Sequence, residues 1–191
     1  MPLSHHDFIA MTDVCNLKYS MTHLFRRSLA YFIDCTICYS LIMLILQWAI
    51  LGNIRESIGI TNKWFEISWN MELYVLASIS LPVWLYFTYF DSNRTRGTFG
   101  KRIMKLSVRD KEKKKISLGK SFLRTFLKLS PWEIAHFGVI FPTPMYFEEE
   151  ADIRILTIVG IILFLSYAAS IIVYNNGQSV YDKLLGTRVS E

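Results

Sequence analysis

The chain has 191 residues, 52% of them hydrophobic and only 19% charged, with a formal net charge of +5. Mean hydropathy is +0.28 and aromatics make up 15%, which excludes a disordered chain, a disulfide scaffold and a collagen-like fibre. The balance is that of a membrane protein, in which ten Tyr and five Trp suit interfacial belts.

Residues 1–20 form a polar segment carrying Asp7 and Asp13, and 21–191 read as one membrane domain. No cleavable signal is seen, so the first span is expected to act as its own insertion signal. His5 and His6 beside Asp7 are too few ligands for a metal site, and no metal is expected. Cys15, Cys35 and Cys38 give no disulfide framework. Cys35 and Cys38 form a C-x-x-C inside an apolar run, where they pack as small apolar residues.

The first span is predicted over about 28–50, in a run without charge from Cys35 to Ile54 that, extended back to Ser28, has Asp34 as its one charged residue. Such a run is long enough for a ~30 Å hydrocarbon core. The second span, about 73–90, is bounded by Glu72 and Asp91 and contains Pro82. Neighbouring helices, with Ser78 and Ser80, can satisfy the backbone groups that the proline frees.

A basic loop, 91–120, follows. GTFGK at 97–101 resembles a phosphate-binding loop, but that motif needs Gly at 95 and Ser or Thr at 102, where Thr95 and Arg102 stand. Met104, Leu106 and Val108 alternate with Lys105, Ser107 and Arg109, which predicts a strand. DKEKKK at 110–115 reads as a turn, Ile116–Leu118 as a short return strand, and Leu184–Val189 as a further strand. Lys111, Lys113, Lys114 and Lys115 fit anionic lipid head groups or a solvated turn. No aromatics interleave with these lysines, so nucleic acid is not expected.

The stretch 121–141 has two halves. Lys120, Arg124 and Lys128 recur at helical spacing opposite Phe122, Phe126 and Leu129; then WEIAHFGVIF is apolar except for Glu133 and His136. It is open to lying on the membrane surface, re-entering, or crossing as a weak, broken span. The last span, about 155–174, has no charge. If 121–141 crosses, eighteen of the twenty-one Lys and Arg fall on one side, leaving Arg55, Lys63 and Arg154 on the other. The positive-inside rule then puts both termini in the cytoplasm of a cell (inner) membrane.

The expected fold is therefore all-α and polytopic, with four transmembrane helices, the third weak, and a small cytoplasmic β-hairpin or sheet. Asp34 lies two turns beyond Arg27 on one helix face, and a carboxylate at that depth must be paired, protonated or wet. With four spans, Asp182 reaches the same interface and Arg27, Asp34 and Asp182 can cluster.

RRSLAYFID at 26–34, RGTFGKRIMKLSVRD at 96–110, Arg124 after SLGKSF, and YDKLLGTRV at 181–189 resemble the RDD family of membrane proteins. By position Arg27, Asp34 and Asp182 match the Arg and two Asp of the family's name. Gly97, Thr98, Gly100, Lys101 and Arg124 match its cytoplasmic motif. One departure is Tyr181, where the family often has His. The resemblance implies movement of ions or small solutes, with cation/proton exchange as its most concrete form; no cofactor is expected. The alternative is a non-transporting subunit or assembly factor that binds a membrane partner, or a second copy, through its spans and basic loop. An enzyme ranks third, because Asp182 lies too shallow to share a proton with Asp34.

Overall fold

The computed structural model describes residues 5–148, 153–174 and 177–190, with side chains from Tyr19 onward. The side chains of His5, His6, Asp7 and Cys15 lie outside the described residues. Helix α1 starts at His5 and stays α-helical to Leu41; no Gly or Pro interrupts it. It continues through a wider π-wound stretch, Ile42–Leu51, to a last turn at Gly52–Ile54. Helix α2, Ser68–Asp91, has its own π-wound turn at Leu76–Ser80 just before Pro82. Pro82 thus falls in the first turn of the following α-helical segment, where a missing N–H costs least. Gln47 ties α1 to α2, donating to Ser78 Oγ at 2.8 Å and accepting from Tyr74 Oη at 2.5 Å.

Past Asp91 the chain forms a short helix α3 (Phe99–Ile103), strand β1 (Ser107–Asp110), helix α4 (Leu118–Ile140) and helix α5 (Ile155–Val173). It ends in helix α6 (Val180–Leu184) and strand β2 (Thr187–Ser190). The two strands pair antiparallel, Val108 opposite Val189. Their inner residues pack with Ala30, Leu106 and Ile116 into a small apolar core under α1.

The molecule is mostly helical, and three helices are long and apolar enough to cross a membrane: Tyr19–Ile54, Ser68–Asp91 and Ile155–Val173. Helix α4 is one continuous helix through Pro131 rather than a broken one. It lies antiparallel against α5, where a Cβ on Gly160 would stand 2.6 Å from the Pro131 carbonyl and one on Gly138 would stand 2.4 Å from the Thr157 amide. Small residues let the two backbones approach this closely. Its polarity is turned the opposite way from a soluble amphipathic helix: Arg124 is buried, while Phe122 and Phe126 are each 46% exposed. Leu129 alone of the three apolar positions faces inward.

The small sheet also differs from the sequence expectation. Lys105 takes a positive φ of 57° in the turn after α3, so β1 begins at Ser107 rather than Met104. The return strand at Ile116–Leu118 shrinks to a single bridge, Arg109 to Lys115, and the C-terminal strand takes the place beside β1. Leu184 belongs to a helix instead of that strand, because Ser179 and Asp182 form a reciprocal capping box that starts α6.

Candidate functional site

At the sheet end of the bundle five buried side chains alternate in sign. Arg27 of α1 donates from Nη2 to Asp182 Oδ2 at 2.7 Å, and Arg124 of α4 donates from Nε to Asp182 Oδ1 at 2.9 Å. Arg124 Nη1 reaches Asp91 Oδ2, at the end of α2, at 3.1 Å, and Lys101 of α3 binds the same carboxylate. Arg27, Asp182, Arg124, Asp91 and Lys101 thus join four helices and the C-terminal segment in one continuous chain of charge-assisted bonds.

Neutral donors complete it. Ser179 Oγ at 2.8 Å and Thr187 Oγ1 at 3.0 Å fill the remaining lone pairs of Asp182. Arg27 Nη1 also donates to the Gly177 carbonyl at 2.9 Å and Nη2 to Tyr181 Oη at 3.2 Å, while the Arg124 guanidinium lies 5.2 Å from the Tyr181 ring centroid. Burial works to raise the Asp182 carboxyl, but Arg124 and Arg27 outweigh it and hold it well below the usual carboxylate range. Burial keeps the Lys101 ammonium below the ordinary lysine value against the pull of Asp91.

Asp34 stands apart from this chain. It is fully buried and accepts from Thr98 Oγ1 at 2.6 Å, the Gly100 amide at 2.7 Å and Tyr86 Oη at 2.8 Å. The contact exists because α3 comes flush against α1: a Cβ on Gly100 would lie 2.0 Å from the Ala30 carbonyl oxygen. Two helical turns separate Arg27 from Asp34, so the arginine meets Asp182 while the Gly100 amide of α3 meets Asp34. The expected three-residue cluster is therefore two neighbouring sites.

Of the motif residues, Thr98 supplies a donor to Asp34, Gly97 turns the chain into α3 with a φ of 104°, and Lys101 and Arg124 enter the charge chain. The lysine turn lies elsewhere: Lys111, Lys113, Lys114 and Lys115 are exposed, with Lys114 paired to Glu112 at 2.9 Å and Lys115 donating to the Thr95 carbonyl. Sequence reasoning missed Asp91, the link between Lys101 and Arg124. Its signal was faint: a carboxylate closing an apolar run reads as a boundary marker.

Among the described residues, two adjoining cavities open between the helices. The first, about 110 Å³, is walled by Arg27, Asp34, Lys101, Arg124 and Lys128 among apolar residues. The second, about 310 Å³, runs deeper between α1, α2, α4 and α5 and is almost wholly apolar. Tyr31, Lys128 and Phe164 belong to the walls of both.

Long apolar helices clasped at one end by a buried, alternating set of charges define a helical membrane protein. The chain belongs to the RDD family: the family model matches residues 21–186, a stretch that contains Arg27, Asp34 and Asp182. No curated protein and no solved structure matches it. Among the described residues no group of three His, Cys, Asp or Glu side chains is placed to hold a metal ion.

Proposed function

We propose a four-span protein of the cell (inner) membrane, with both termini cytoplasmic, that holds and moves a small solute within its helix bundle. The observation that carries solute handling is the pair of cavities meeting at Lys128. The charge chain is the cytoplasmic closure of that space. Of the four lysines and arginines in the first cavity's wall, Arg27, Lys101 and Arg124 are held by Asp182 and Asp91, and Lys128, left without an ion pair, favours an anion. Asp34 is a poor carrier of cations or protons, since three donors already occupy it.

Pairing of β1 with β2 supports the topology, because it ties the loop after α2 to the C-terminal segment after α5. Helix α4 must then run to the far end so that α5 can return, and its 23 residues span roughly 34 Å. The outward faces of Phe122, Leu123, Phe126 and Trp132 suit lipid. The lysine turn, on the cytoplasmic side, meets anionic head groups.

Purified protein in liposomes loaded with a pH-sensitive dye, under Na⁺, K⁺ or Cl⁻ gradients, tests this. A chloride-sensitive dye in parallel liposomes is expected to report Cl⁻ entry without proton movement; proton movement with Na⁺ or K⁺ would restore cation/proton exchange. No movement with any of the three favours a non-transporting membrane-complex subunit, with the same fully paired Asp34, or a homo-oligomer of that kind.

A further inference from the structure

We propose that the deeper cavity binds a single acyl chain whose anionic head group rests against Lys128. This deepens the solute-handling reading by naming the ligand class, and it rests on that reading only in sharing the cavity.

Lys128 is the charged group the rest of the site leaves over. Its Nζ lies 3.2 Å from the Phe87 ring centroid and 5.1 Å from that of Tyr31. Among the described residues it makes no hydrogen bond and no ion pair. Asp91, whose charge reaches it, is already bound by Lys101 and Arg124. Lys128 is half-buried on the cavity wall, and the ring faces make up only part of the hydration its ammonium has lost; an anion in the cavity would complete it.

The space beside it sets the rest of the ligand. Tyr39, Ile79, Val83, Leu129 and Phe164 line a cavity of about 310 Å³, within the size of small-molecule sites. Glu133, also on its wall, is satisfied by Ser80 Oγ and Trp84 Nε1, each at 3.0 Å, and does not serve Lys128. A bare inorganic anion would leave these apolar walls unfilled. A cation would meet Lys128, and a neutral hydrocarbon would leave the ammonium uncompensated. One negative head on one apolar tail fits both halves. Such a molecule reaches the cavity from the bilayer as a free long-chain carboxylate or as a lysophospholipid with a phosphate head.

Native mass spectrometry of the full chain in detergent, with oleate, oleyl alcohol and oleoyl lysophosphatidate as probes, tests the proposal. One oleate per chain is expected, with oleyl alcohol bound about tenfold more weakly or worse. Lys128→Met should reduce oleate to the level of the alcohol, Lys128→Arg should retain it, and Val83→Phe should weaken both tails by filling the cavity. Displacement of oleate by lysophosphatidate at lower concentration assigns the phosphate source, and failure to displace it assigns the free carboxylate; both retain the site. Equal binding of oleate and oleyl alcohol to the unaltered protein, or oleate binding indifferent to Lys128→Met, overturns it. Oleate binding without flux in liposomes removes transport and leaves this site; flux without oleate binding does the reverse.

Discussion

Asp34 and Asp182 are both fully buried carboxylates, yet they answer to different partners, and their substitution should separate them. Asp182 joins two guanidinium groups, so Asp182→Asn strands Arg27 and weakens the hold on Arg124. Breaking a buried pair in this way costs about 3–5 kcal/mol, and Arg27→Gln in the same chain should recover part of it. Asp34 accepts only neutral donors; Asp34→Asn leaves no base unpaired and should cost about 1–3 kcal/mol, with no rescue from Arg27→Gln. Melting temperatures of the four proteins in detergent check this, and rescue of Asp34→Asn by Arg27→Gln would count against the geometry. Because the Asp182 carboxyl is held low, its contribution is complete above the unfolded value of ~3.9 and is lost only as pH falls through the lower folded value. Acidification from pH 7 to pH 5 should therefore leave this clasp intact. Arg27, Asp34 and Asp182 were legible in the sequence because each is a charge next to an apolar run. Which charge meets which was not, since that depends on how closely α3 approaches Ala30, and a glycine at 100 does not by itself reveal an approach.

Helix α4 shows how the surrounding solvent changes the reading of a pattern. Basic residues at helical spacing opposite phenylalanines signal a polar outer face in water, but here Arg124 is buried and Lys120 and Lys128 half-buried while Phe122 and Phe126 face outward, the arrangement that hydrocarbon would favour. The period was readable in the residues from Lys120 to Leu129, whereas its direction depended on whether water or lipid lies outside. The consequence is measurable at Lys128. On a surface helix this lysine would be solvated, and Lys128→Met would change stability by no more than about 0.5 kcal/mol. Half-buried over the Phe87 ring without an ion-pair partner, it has lost part of its hydration, and the same change, less the lost ring contact, should stabilise the protein by about 1 kcal/mol. Thermal unfolding in detergent reads the difference; an unchanged or lowered melting temperature would place the ammonium in water. The strands were legible for a simpler reason, the alternation about Val108, but their pairing was not. Val189 lies far along the chain, and local sequence favoured the nearer Ile116.

For the molecule as a whole, the closing pair of strands constrains the path of everything between them. Strand β1 follows α2 and strand β2 follows α5, so the chain from Ser107 to Ser190 must leave the sheet end and come back to it. One crossing by α5 alone cannot do this; in the proposed four-span topology α4 supplies the other. Single cysteines at Lys113, Ser190 and Tyr146, in a chain whose own Cys15, Cys35 and Cys38 are changed to Ala, test that requirement in intact cells and in inverted vesicles. Lys113 and Ser190 are expected to react with a membrane-impermeant maleimide only in inverted vesicles, with the basic loop and C-terminal segment inside. Tyr146, 72% exposed between α4 and α5, should react only in intact cells. The charge distribution supports the same topology, since four spans would put eighteen of the twenty-one Lys and Arg on the side of Lys113. Labelling of Tyr146 from the same side as Lys113 would mean that α4 turns back before crossing. With Ser190 on the far side as well, the β1–β2 pair and the Arg27–Asp182 contact would both fail, because a membrane would stand between their partners.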